Sequence, residues 1–228
     1  METRVIKNIA IHHAGGVQNN AFASSLGLTW KQVNDWHKQR WNFQSQYIPG
    51  SYGGYNFIYD PKDRSFHQFR AIGEETAAQI GYNLDTVSIC IIGNYSLNNG
   101  KPVDQMTKSI EYDIASFVLD LISGAHTHII AVNTDVSLSI TRAFPHRHYQ
   151  KGTECYGTAL TDEWIQNILA QYKKDSRDFI TERAVILQKL VKLYLQLQTL
   201  IAKQEVKKRQ QNVSASDRSC EGFITNDI

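Results

Sequence analysis

Residues 86–92, Thr-Val-Ser-Ile-Cys-Ile-Ile, form a continuous β-branched and apolar run without a charged side chain. Successive side chains of a strand point to opposite faces, so a strand with one wet face alternates apolar and polar residues. A run that stays apolar fits a strand covered on both faces, at the centre of a sheet with helices packed on each side. That requirement limits the chain to layered α/β architectures, and its other segments supply the layers. Residues 5–11 read as a second buried strand. Residues 55–60 and 65–70 read as a β-hairpin around the turn-forming Asp60-Pro61-Lys62-Asp63. Thr29 is placed to cap a helix running through Arg40, with Trp30, Val33, Trp36 and His37 on one face. Residues 103–123 repeat apolar side chains at helical spacing, residues 128–132 predict a short strand, and residues 161–172 predict a helix with Thr161 as its N-cap. The expected fold class is α/β: a mixed central β-sheet flanked by helices, followed by a long C-terminal amphipathic helix.

That last helix differs in kind from the rest. In residues 173–211, Ile186, Leu190, Leu193, Leu197 and Leu200 step by alternating fours and threes, and Leu187, Tyr194 and Ile201 add a flanking row. The pattern fits a coiled coil that joins copies of the chain through residues 182–203, and it fits equally one amphipathic helix lying on the chain's own surface. The Ser-rich stretch 212–228 is expected to be a disordered tail. Residues 1–172 are then left as one domain of ordinary globular composition.

Net charge is +2, divided unevenly: residues 173–228 hold 11 Lys/Arg against 7 Asp/Glu, and the remainder 13 against 15. Neither part is basic enough to predict a nucleic-acid partner. No apolar core follows the charges of Met1–Lys7, so the start does not read as a signal peptide, and no run is expected to span a membrane. Three widely spaced cysteines argue against a disulfide framework. These features predict synthesis in a reducing cytoplasm.

The chemistry-bearing residues lie in two distant places. His12 ends the first apolar strand, in Ile9-Ala10-Ile11-His12-His13-Ala14-Gly15, and His146 and Cys155 share a polar loop, His146-Arg147 to Thr153-Glu154-Cys155. Two imidazoles and a thiolate suit Zn²⁺, and three protein ligands leave a fourth position open, as in catalytic zinc sites. Between them stand His37, Arg40 and Trp41, then Gly54-Tyr55-Asn56-Phe57, then the central run ending at Gly93. In this order the four blocks, spanning residues 1 to about 172, resemble the zinc-dependent N-acetylmuramoyl-L-alanine amidase family, which includes phage lysozyme-type amidases and peptidoglycan recognition proteins.

The resemblance implies that His12, His146 and Cys155 hold one zinc per chain. It implies catalytic roles for Tyr55, orienting water or stabilising an oxyanion, and for Thr153. His13, His37 and Lys151 become groove or substrate contacts. The His146–Cys155 loop is one residue longer than in most relatives, which makes His148 a rival to His146. Tyr156 replaces a usual proline, and Ala78 stands where relatives often carry a histidine. The implied activity is cleavage of the amide between N-acetylmuramic acid and L-alanine in bacterial peptidoglycan. A phage endolysin that reaches the wall after holin-type release suits the lack of a signal peptide. The alternatives are a non-catalytic muropeptide-binding module and an assembly protein that works through its C-terminal helix.

Overall fold

The structure, a computed structural model, describes residues 4–17, 20–124, 131–133 and 135–220, with side chains from residue 202 onward described only at 204 and 205. The elements in chain order are β1 (Arg4–His13), α1 (Trp30–Trp41), β2 (Phe57–Asp60), β3 (Ser65–Gln68), β4 (Thr86–Ile91), β5 (Leu97–Asn98), β6 (Lys101–Pro102), α2 (Lys108–Ser123), β7 (Val136–Pro145), α3 (His146–Tyr149) and α4 (Trp164–Cys220). Contacts divide the chain into two compact units, one ending at Lys173 and the other beginning at Lys174.

In the first unit the sheet order is β3-β2-β4-β1-β7, with β5 and β6 forming a separate two-stranded ribbon. β2, β4, β1 and β7 run parallel, and β3 pairs antiparallel with β2, so the sheet is mixed. All six residues of β4 are buried, as a strand with helices on both faces must be. Ile9, Ile11, Phe57, Tyr59, Val87, Ile89 and Ile91 point to one face and meet the α2 side chains Ile110, Ile114, Phe117 and Val118. Ile58, Cys90 and Ile92 point to the other face and meet Val33 of α1 and Phe69. Each fully buried aliphatic side chain contributes about 1.5–3 kcal/mol of transfer free energy.

The helix ends follow local chemistry. Thr29 accepts from Gln32 N while the Gln32 side chain takes the Thr29 N–H, a reciprocal capping box that starts α1. α2 begins at Lys108, later than the helical spacing from residue 103 predicts, because Val103 and Asp104 are occupied elsewhere. Val103 N donates to Ser96 O, and the Asp104 carboxylate accepts from Ser24 Oγ, Ser25 N and Asn94 N. Thr107 then caps the helix through Ile110 N. α4 begins at Trp164, whose N–H goes to the Thr161 carbonyl at 3.1 Å rather than to the Thr161 hydroxyl. Trp164, Ile165, Ile168 and Leu169 close the core.

A buried ion pair organises the long connection between α1 and β2. Arg70, fully buried, donates to Gly53 O at 2.7 Å, to Phe43 O and to Glu74 Oε1 at 3.2 Å. Glu74 in turn accepts from Ser45 Oγ at 2.7 Å, Gln46 N at 2.8 Å and Ala71 N at 3.0 Å. Burial lowers the Arg70 pKa, and the neighbouring carboxylates of Glu74 and Glu75 work against it.

The structure departs from the sequence reading in several places. The edge strand β7 at Val136–Pro145 was not anticipated. The strand expected over 128–132 falls mostly outside the described residues, although Val132 makes a parallel bridge to Ile72. The tail expected to be disordered from 212 continues as α4 to Cys220, and residues 221–228 lie outside the described residues. The second unit is the α4 helix from Lys174 onward, where every described residue from 177 to 201 is exposed. By length and composition α4 contains a stretch within Trp164–Ile201 apolar enough to cross a membrane, contrary to the expectation that none would be found.

Candidate metal centre

β1 is the hinge of the site. It pairs in parallel with β4 on one side and β7 on the other, in a register that sets His12 opposite Cys90 and Ile11 opposite Pro145. Parallel neighbours end at the same edge of a sheet, so the residue after Pro145 emerges beside the end of β1. That residue is His146. Alternation along β1 sends Ile11 into the α2 layer and His12 to the opposite face.

The loop that follows is held by Arg147. Its backbone N donates to Cys155 O at 3.0 Å, and its guanidinium donates to Gly157 O at 3.1 Å, to Leu160 O at 2.6 Å and to Asp162. These bonds fold the loop back so that Cys155 returns to His12. The His12 and His146 ring centroids are 4.4 Å apart, and Cys155 Sγ lies 3.8 Å from His12 Nδ1. Among the described residues, His12, His146 and Cys155 form the one group of His, Cys, Asp or Glu able to share a metal ion, with ligand atoms all within 4.8 Å of one another.

Charge and proton state suit a cation. Burial, then the neighbouring His146, lowers the His12 pKa to about 3, so the ring is neutral and keeps a lone pair. Burial also lowers His146. The Cys155 thiol is pushed up to about 12 by burial, partly offset by the His13 N–H, which points at its sulfur from 3.4 Å. The group is therefore uncharged by itself, and a divalent cation would supply the charge that displaces the thiol proton. Tetrahedral zinc with ordinary bond lengths puts nitrogen and sulfur ligands about 3.6 Å apart. The observed 3.8 Å between His12 Nδ1 and Cys155 Sγ fits that spacing.

Each imidazole is anchored through its far nitrogen by a glutamine. His12 Nε2 donates to Gln79 Oε1 at 2.8 Å, and His146 Nε2 donates to Gln150 Oε1 at 3.1 Å. An amide oxygen can only accept, so each Nε2 carries the proton and each Nδ1 keeps its lone pair. Gln79 is itself fixed: its Nε2 donates to Thr86 Oγ1, whose hydroxyl donates to Tyr82 O at 2.9 Å. Reading the chain as a sequence did not find Gln79. Its one signal is position, directly after Ala78 in the segment where relatives carry a histidine.

No protein-family model matches the sequence, and no curated protein matches it. Solved structures do. The endolysin N-acetylmuramoyl-L-alanine amidase LysCS from Clostridium intestinale URNW superposes with a TM-score of 0.50 at 20% identity, covering 74% of this chain and 86% of its own. The Ph2119 endolysin from the Thermus scotoductus MAT2119 bacteriophage also gives 0.50, at 12% identity, covering 74% and 87%. Peptidoglycan recognition protein-LE, in complex with a monomeric diaminopimelic acid-type peptidoglycan, gives 0.45 at 20% identity, covering 71% and 79%. The fold is that of the N-acetylmuramoyl-L-alanine amidases.

Around the metal-ligand group of this amidase fold, the remaining candidates take different places. The Tyr55 ring lies 5.2 Å from that of His12. Burial and the nearby cysteines raise its pKa well above the ordinary phenol value, so it remains a neutral donor. Thr153 Oγ1 accepts from Cys155 N at 3.3 Å, which leaves its hydrogen for another acceptor. His37 sits between Trp41 and Tyr55 at 4.6 and 5.7 Å, and its Nδ1 accepts from Gly54 N. Burial, then Arg40 and Arg70, lowers its pKa to about 4.

His13 faces the opposite side of β1 from His12. Its Nδ1 accepts from Tyr95 N, and burial followed by Arg147 lowers its pKa to about 4. Lys151 is exposed in the turn before Gly152. His148 stacks flat on Phe144 at 4.1 Å, and it is His146 that joins His12 and Cys155. Tyr156, fully buried, fills its position with ring contact to Trp164 at 5.3 Å and a hydroxyl bond to Thr161 O at 2.8 Å.

Proposed function

We propose that this chain is a zinc-dependent peptidoglycan hydrolase that cleaves the amide between N-acetylmuramic acid and the L-alanine of the stem peptide. The observation that carries the reading is the convergence of His12, His146 and Cys155 at the end of the parallel strands of an amidase fold. In this reading the three residues hold zinc, which when bound supplies an acidified water and a Lewis acid for a carbonyl oxygen. The chain's own groups do the rest. Gln79 and Gln150 hold the imidazole tautomers that present Nδ1. The Tyr55 hydroxyl, protonated at any working pH, donates to an oxygen on which negative charge develops. Thr153, tied to Cys155 N, serves as a second donor in this reading. Neutral His37, with Nδ1 engaged, presents Nε2–H to a polar group of the glycopeptide.

An endolysin role, with release to the wall by lysis, belongs to the same proposal. Elemental zinc on wild type and Cys155→Ser, with muropeptide release assayed on the same samples, tests it. One zinc per chain, with new L-alanine amino termini lost in the variant, supports the hydrolase. A chain that holds no zinc and cuts nothing, yet retains muropeptide, is a binding module instead.

A further inference from the structure

The α4 helix beyond Lys174 exposes a row of large apolar side chains. Leu187, Leu190, Leu193, Tyr194 and Leu195 are each between 57% and 62% exposed. At about 100° per residue, the apolar side chains of residues 184–201 occupy roughly 220° of the helix circumference. Leu187, Leu190, Tyr194 and Ile201 run along the middle of that arc. Gln188, Lys189, Lys192, Gln196 and Thr199 fill the remainder, with Gln198 the one polar residue inside the apolar arc and Val185 the one apolar residue outside it.

The width and the charge together select the occupant. A two-stranded coil built on Ile186, Leu190, Leu193, Leu197 and Leu200 covers a narrow seam and leaves Val191 and Leu195 on its outer surface. Such a coil is also steered by opposite charges beside the seam. Here residues 182–203 carry Arg183, Lys189, Lys192 and Lys203 against the single carboxylate of Glu182 at the segment's edge, so identical copies offer each other mostly like charge. A spanning helix fits no better. Residues 184–201 measure about 27 Å at 1.5 Å per residue, close to a hydrocarbon core of about 30 Å, but spanning would bury Lys189, Lys192 and three glutamines in it. A helix lying in the plane of a bilayer satisfies all of these features. Its broad apolar arc enters the acyl boundary while its lysines remain among the headgroups.

We infer that residues 184–201 form a docking surface for an anionic lipid bilayer, with the helix parallel to the membrane. The surface lies on the second unit and stands independently of the zinc reading.

The test is co-sedimentation of the full chain with phosphatidylcholine vesicles and with vesicles containing about a third phosphatidylglycerol, alongside analytical ultracentrifugation without lipid. Tight binding to the anionic vesicles is expected, at least about tenfold weaker on neutral ones and falling with salt. Leu190→Asp with Tyr194→Asp is expected to lose about tenfold or more on both vesicle types. Lys189→Glu with Lys192→Glu is expected to lose only the preference for anionic lipid, and circular dichroism of each variant checks that the helix persists. Alkaline carbonate is expected to strip the bound chain from vesicles. The proposal is overturned by a discrete oligomer that ignores vesicles, which hands the face to a second copy. It is equally overturned by binding indifferent to the apolar substitutions, or by a chain that carbonate leaves embedded.

Discussion

Replacing Gln79 by leucine removes the acceptor behind His12 while keeping most of the side-chain volume. In the native protein His12 Nε2 donates to Gln79 Oε1 at 2.8 Å, in a site where both residues are buried to within 2%. Water cannot reach the orphaned N–H, so the variant carries an unsatisfied buried donor costing about 1–3 kcal/mol. The ring can escape by turning or by moving its proton to Nδ1, and either response withdraws the lone pair offered to the metal. At 1.36 kcal/mol per tenfold, zinc affinity is expected to fall roughly 10- to 100-fold. Competition with a chromophoric chelator reads this directly, without reference to catalysis. Gln79→Glu keeps an acceptor for His12 and is expected to retain affinity within about threefold. Gln150→Leu is an internal comparison, because the His146–Gln150 bond at 3.1 Å is only part-buried and solvent can replace it. Its loss is expected to be smaller. Unchanged affinity in Gln79→Leu, or equal damage in Gln79→Glu, would refute the view that this amide positions the imidazole.

Other outcomes follow from the same structure. His12→Ala is expected to abolish zinc binding and amide cleavage while the metal-free protein unfolds in urea within about 1–2 kcal/mol of wild type; loss of the fold instead would make His12 a core residue first. Glu74→Gln leaves Arg70 buried without its carboxylate and is expected to cost about 3–5 kcal/mol in urea unfolding, with faster proteolysis of residues 42–53. Asp113 is raised by burial but pulled further down by Arg64 and the Tyr59 hydroxyl, so its net pKa lies below the usual aspartate value. A carboxylate with a depressed folded pKa contributes stability above the unfolded value of about 4 and loses it as pH falls further. The deficit of Asp113→Asn is thus expected at neutral pH and to fade toward pH 3 in thermal melts, and a deficit independent of pH would assign it to packing.

Features encoded locally were legible before the structure. The all-buried β4 announces itself by composition, because a strand covered on both faces has no position for a charge. α1 is announced by Thr29, whose capping bonds are made within three residues. His12 stands out because a histidine ends an apolar strand. What escaped depends on partners distant in sequence. β7 is the exception: Val136, Leu138 and Ile140 alternate with Ser137, Ser139 and Thr141, a half-buried strand pattern that is legible in the sequence and was passed over. Gln79 is an ordinary polar residue until a chain separation of 67 residues closes it onto His12. The Arg70–Glu74 pair reads as a surface i,i+4 pair, and only the 42–56 connection wrapped over it makes it buried. The role of Tyr156 depends on Trp164 in the same way.

The parallel seam between β1 and β7 bears on how the protein is made. His12 and Cys155 are 143 residues apart, and the second imidazole arrives only when the last strand of the sheet docks. During synthesis almost the whole first unit must leave the ribosome before three ligands exist in one place. Capture of a metal by these residues would thus be a late event that cannot nucleate folding, since the entropy of closing so long a loop must be met first by the apolar core. Zinc uptake by a nascent or truncated chain would then act as a proofreading signal: only a chain complete through Cys155, with its edge strand seated, can hold the ion.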